Sequence, residues 1–325
     1  MIDTRVWIEK LRAGDRSRAA SGSGDRGPQR LSREFLEEVL ELVVRYARIE
    51  KLVLGGATVS YSPVSLEAAR HPAADPSAQG EALADGERAR LELPAGPILE
   101  LPQLIERQGI KVVPCLFPGP EYCGGFFFDA RLGPVILLHA GVSASEMLCG
   151  LAHQYAHFLA DFDPYITTLC GFAPASAPED PIEARAHAMA LAFLMPRADL
   201  ETYREALDGE GAPVSAQLVR HLSVYFDLDP EVVLWRLLAL DWIDAVALRF
   251  LLAAHDELAG SLRRQPATPP AVLLPDRFVR LVASAFGAGR IDLEAAAAYF
   301  GTDRDRAETI LGQFEYEEGS AAADS

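Results

Sequence analysis

Ser143-Ala144-Ser145-Glu146-Met147-Leu148-Cys149-Gly150-Leu151-Ala152-His153-Gln154-Tyr155-Ala156-His157 is the stretch on which the fold turns. Ser143 and Glu146 stand three apart ahead of an apolar run, the capping-box signature of a helix start, and the helix is expected to reach about Ala160. His153 and His157 then fall at i and i+4, about 40° apart around the axis and one turn apart in height, so both imidazoles can share one ion. Two histidines at this spacing also occur as a capped or core pair. The stretch alone leaves both readings open.

Upstream, Leu101 to Gln108 reads as a short helix stopped by Gly109. Three strands follow, Ile110 to Leu116, Gly125 to Asp129 and Pro134 to His139, with Pro-Gly turns between them. They predict a small antiparallel sheet. Beyond the histidines, Asp180-Pro181 is a cap residue followed by Pro at the first helical position, and it opens a second helix that stops at Met195-Pro196. Tetrahedral zinc in a hydrolytic site takes three protein ligands plus water, so two histidines need a third donor. The candidate is Glu183, in the first turn of the second helix; the same carboxylate could instead complete a capping box with Asp180.

These residues resemble the ImmA/IrrE-type metallopeptidases, whose core is a small sheet followed by two metal-bearing helices. The resemblance runs from Gly96-Pro97 to Pro196. It includes Val135-Ile136-Leu137-Leu138-His139, Leu151-Ala152-His153-Gln154-Tyr155-Ala156-His157, and Glu183-Ala184-Arg185-Ala186-His187-Ala188-Met189-Ala190 running into Leu194-Met195-Pro196. It implies a small sheet packed on zincin-like helices; with the three strands read above and the helical patterns that run almost throughout after Pro213, the expected fold is α+β, a three-stranded antiparallel sheet on those helices followed by an all-helical C-terminal half. It also implies Zn²⁺ as cofactor and His153, His157 and Glu183 as its ligands.

The sequence departs from the family at one decisive position. Family members have Glu after the first histidine, as in H-E-x-x-H, where it takes a proton from water at the zinc and passes it to the leaving amine. Here it is Gln154, whose amide keeps the size and hydrogen-bonding capacity but has no basic site near neutral pH. Losing a general base costs typically 10²- to 10⁴-fold. A silenced enzyme and a natural pseudoenzyme both fit that residue.

Further candidates surround this set. His187, one turn after Glu183, is placed either to orient a ligand or simply on a half-buried helix face. Cys115 and Cys123 are expected at the same end of a hairpin, where a thiolate could occupy the zinc until a signal withdrew it; the alternative is buried thiols. Tyr165, between the two helices, could stabilise an oxyanion or be a loop aromatic. Cys149 and Cys170 are assigned to packing, as are Tyr155 and Ala156, which replace the family's aliphatic residue and Gly.

The flanks complete the plan. Residues 1–61 read as a basic arm followed by an amphipathic helix from Ser32 through Phe35, Leu36, Val39, Leu40, Val43 and Tyr46, ending before Gly55-Gly56. Residues 62–96, dense in Pro, Ala, Gly, Asp and Ser, are expected to be a linker. Residues 97–212 form the metallopeptidase unit, 213–314 a helical regulatory or partner-binding unit, and 315–325 a disordered tail. The pair of helices around Gly301-Thr302 mimics a helix-turn-helix, but its mixed charges point to two packed helices.

Composition excludes several classes. The 325 residues, 50% hydrophobic and 24% charged, contain ample core material for about two domains. A net charge of −17 argues against general affinity for DNA or anionic membrane. No apolar run reaches the roughly 18 to 20 residues of a membrane span and the start lacks an apolar signal core, so a soluble cytoplasmic protein is expected. The four cysteines make no disulfide framework. Only the arm of residues 1–30, with seven basic and four acidic groups, leaves room for a nucleic-acid signal. By resemblance, the substrate is a helix-turn-helix repressor of a stress, DNA-damage or phage-defence response; the alternative is a zinc-binding pseudoenzyme that holds a repressor or toxin uncut.

Overall fold

A computed structural model describes residues 31–55, 75–117, 124–161, 168–170, 180–208, 213–259 and 271–323. The arm of residues 1–30, Cys123 and Tyr165 lie outside them. The elements are α1 (Arg33–Leu54), α2 (Pro76–Arg90), α3 (Leu101–Arg107), β1 (Lys111–Leu116), β2 (Gly124–Asp129), β3 (Gly133–His139), α4 (Ala144–Ala160), β4 (Thr168–Cys170), α5 (Pro181–Leu194), α6 (Arg197–Asp208), α7 (Ala216–Phe226), α8 (Pro230–Ala239), α9 (Ala245–Ala259), β5 (Ala271–Val272), α10 (Asp276–Gly287), α11 (Leu293–Phe300) and α12 (Arg304–Ala323). The class is α+β, and the helix signals hold locally. Ser32 caps α1 by accepting from Phe35 N, Gly55 closes it at φ 66°, and Ser143 and Glu146 form the reciprocal capping box of α4.

The sheet has the order β4-β2-β3-β1-β5. β2 and β3 form the expected antiparallel hairpin, but β1 runs parallel to β3, with Lys111 opposite Val135 and Cys115 opposite His139. The sheet is therefore mixed rather than antiparallel, and β1 and β2 are not neighbours. A parallel pair needs cover on both faces, and β1 has it. Its side chains alternate between two cores: Val112 packs with α4 and α5, whereas Val113 and Cys115 pack with α1 and α10. β3 repeats the alternation, Ile136 and Leu138 on one side and Val135 and Leu137 on the other.

The C-terminal half is helical as expected apart from Ala271–Val272, which pairs antiparallel with β1, and its helices divide between the two cores. α7 to α9 join the core of α4 and α5, while α10 to α12 join α1 on the opposite face of the sheet. The tail does not begin at residue 315, since α12 continues to Ala323.

The stretch expected to be a linker contains a helix. Residues 76–90 form α2, which buries Gly80, Leu83, Ala84, Glu87 and Arg88 in the core it shares with α4 and α5. Its sequence hides this because its apolar residues are few and small, and smallness is what close packing demands. An ideal Cβ on Gly80 would stand 2.5 Å from the Arg185 carbonyl oxygen and 2.7 Å from both Ala188 Cβ and Met189 N. Arginines then clamp the helix. Arg88 donates to the Phe193 carbonyl at 2.8 Å and the Pro94 carbonyl at 2.7 Å, and the fully buried Arg236 of α8 pairs with Glu81 and donates to the Met195 carbonyl at 2.9 Å.

A Gly80→Val variant is expected to lose roughly 2–3 kcal/mol, because backbone atoms cannot rotate out of the way and overpacking outweighs any gain in helix propensity. A Gly312→Ala control, on an exposed helix with nothing within 4 Å of the added methyl, is expected to gain up to about 1 kcal/mol. Urea unfolding measures both; equal stabilities would disprove the close crossing.

The second core contains a polar chain. Arg277 donates to the Tyr46 hydroxyl at 3.3 Å, and that hydroxyl donates to Glu106 Oε1 at 3.1 Å; Glu50 bridges Arg277 and Lys111, each at 2.7 Å. Burial pushes the Glu106 carboxyl up to about 7, more than the nearby Arg277 pulls it down. A raised acid pKa favours the neutral form in the fold, so this contribution is full below about pH 4.5 and is lost as pH rises through 7. Glu106→Gln is therefore expected to be near neutral at pH 5 and to stabilise by about 3 kcal/mol at pH 8. Urea midpoints that shift equally at the two pH values would refute this.

Candidate metal centre

α4 and α5 pack side by side, and the residues that start and stop them set which faces meet. Asp180 caps α5 by accepting from Ile182 N at 2.8 Å. Both oxygens of Glu183 lie at the imidazoles instead: Oε2 is 3.1 Å from His153 Nε2 and Oε1 is 3.5 Å from His157 Nε2. The two Nε2 atoms are 3.1 Å apart. Donors about 2.0–2.1 Å from one tetrahedral ion stand roughly 3.3 Å from each other, so these three fit a zinc-sized cation. Among the described residues they are the group able to hold a metal, with ligand atoms all within 4.8 Å of one another.

The His157 imidazole is oriented from behind. His157 Nδ1 lies 2.9 Å from Asp161 Oδ2, and a carboxylate there can only accept, so in the neutral ring the proton sits on Nδ1 and the Nε2 lone pair faces the other donors. Asp161 is in turn paired with Arg185. Sequence reading missed both residues. The signal was present in Asp161, four residues after His157 on the same helical face, and in Arg185, two residues after Glu183.

Gln154 is fully buried one residue round α4 from His153, about 100° around the axis, with its Cγ toward Gly124 of β2. His187 is half-buried; burial first, and then the nearby His153, lower its pKa to about 4, which keeps the ring neutral. Tyr155 does more than pack. Its hydroxyl donates to Glu87 of α2, which also accepts from Arg90 at 2.6 and 2.8 Å.

The thiol switch is not supported for Cys115. The two-residue repeat of β1 places its side chain in the core beyond the sheet, away from α4 and α5, with Sγ 3.6 Å from the Val113 carbonyl. Burial raises the thiol pKa well above its ordinary value, which disfavours a thiolate. Cys149 is buried as expected, in the core of α4 and α5, and its thiol pKa is raised in the same way.

A mixed sheet backing two helices that present two imidazoles and a carboxylate defines a metallopeptidase-like scaffold. Residues 105–238 match the IrrE N-terminal-like domain of peptidase family M78. The match runs from within α3 to within α8; α1, α2 and α9 to α12 lie outside it. No curated protein matches the chain. Among the described residues, no helix is long and apolar enough to cross a membrane.

Proposed function

We propose that this chain is a zinc-dependent endopeptidase scaffold whose hydrolysis is held far below the capacity of its site by Gln154. The observation that carries the reading is the convergence of His153, His157 and Glu183 within 3.1 to 3.5 Å of one another on two helices of a peptidase-family domain. A zinc ion in this position would supply Lewis acidity toward a scissile carbonyl and lower the pKa of water. The protein's own part is to fix those donors, and to present at position 154 a group beside His153. As glutamine, that group can orient a water or a substrate amide by hydrogen bonding but takes no proton.

For the substrate we favour a helix-turn-helix repressor acting in stress, DNA-damage or phage defence. The resemblance supports this, as does the net charge of −17, which favours encounter with a basic DNA-binding protein. The metal-stabilised binding module is the second reading, favoured by a buried amide where a base is needed. The test incubates zinc-loaded wild type and Gln154→Glu with helix-turn-helix repressors of the source cell and with a quenched-fluorescent peptide library. Cleavage by the variant supports the peptidase. Stable complexes with a repressor and no cleavage by either form support the binding module.

A further inference from the structure

α2 lies outside the matched family domain, yet it reaches the metal centre through a chain of polar contacts. Gln79 Oε1 of α2 accepts from Arg185 Nη1 at 3.3 Å. Arg185 Nη2 donates to Asp161 Oδ1, and the other oxygen of Asp161 accepts from His157 Nδ1 at 2.9 Å. Each carboxylate oxygen therefore has its own donor, and the side chain is held from both ends. Arg185 and Asp161 are well shielded, at 14% and 16% exposed, and His157 is at 0%, so these are not the loose ion pairs of an open surface. Gly80 meets α5 at the carbonyl of Arg185 itself, so any displacement of α2 is transmitted to that residue.

We propose that Arg185 is a positioning residue for the metal centre, acting through Asp161 to fix the tautomer and ring angle of His157, with Gln79 of α2 locking Arg185 in place. The proposal rests on the metal-centre reading above. It assigns α5 two tasks, since Glu183 supplies a donor and Arg185 orients the donor opposite. It also makes α2 part of the site. Hydrogen-bonded partners behind a metal-bound histidine raise its basicity and hold its orientation, and losing one typically weakens metal affinity 10- to 100-fold. A tie that served only to join α4 to α5 would instead lower the stability of the metal-free fold and leave the affinity unchanged.

The test uses the full chain, stripped of metal and titrated with Co²⁺, read by its d–d absorbance, and with Zn²⁺ in competition with a chromophoric chelator. Asp161→Asn and Arg185→Met are each expected to bind 10- to 100-fold more weakly, with an altered Co²⁺ band. The double variant is expected to be no worse than the weaker single one, because both act through His157. Arg185→Lys should recover most of the affinity, and Gln79→Ala should lose a few-fold. Affinities within twofold of wild type, or losses that simply add in the double variant, would overturn the proposal. Should Arg185→Met fail to fold, Asp161→Asn and Arg185→Lys decide in its place. A wild-type chain that binds neither ion would instead refute the metal-centre reading, a distinct result.

Discussion

Zinc-loaded Gln154→Glu is expected to hydrolyse peptide substrate 10²- to 10⁴-fold faster than wild type, about 3 to 5 kcal/mol of barrier. The substitution changes one atom and one proton equilibrium in a side chain that is already fully buried between His153 and the Gly124 region of β2. A carboxylate there can take a proton from the attacking water and return it to the leaving amine, which an amide cannot. Burial alone would raise the new acid's pKa, toward the range in which a general base works at neutral pH, while a bound cation nearby would draw it down again. A bell-shaped pH profile in the variant, absent from wild type, would show that the gain comes from a titrating base. Equal rates in both forms, with metal bound in both, would defeat the peptidase reading.

Removal of the metal is expected to have the second-largest effect. A ligand that binds only the folded state stabilises it by about 4 kcal/mol at a thousandfold excess over its Kd, so zinc should raise the Tm of the stripped protein by roughly 5–15 °C. His153→Ala and Glu183→Gln each remove one of the three donors, and neither variant should show the rise or retain a stoichiometric ion after dialysis. Glu183→Gln is the more informative, since it preserves shape and removes only the charge. Stripped wild type whose Tm ignores zinc would mean that the three side chains hold one another by hydrogen bonds alone.

α4 and α5 were legible because their signals are local. A Ser-x-x-Glu box, an Asp-Pro start and a Met-Pro stop act over a few residues, and the i, i+4 histidines follow from the helical period. By themselves those residues determined the class of fold, the ends of α1, α4 and α5, and which side chains could share a cation. The partners of those side chains were hidden, since sequence separation says nothing of distance: Glu87 and Tyr155 are 68 positions apart, Gln79 and Arg185 106. Long-range packing alone sets β1 parallel to β3, turns Cys115 away from the His153, His157 and Glu183 group, and makes the low-complexity stretch around Gly80 a helix lying across α5. Strand order and the approach of small residues are settled by what covers each face, and that cover comes from segments far along the chain.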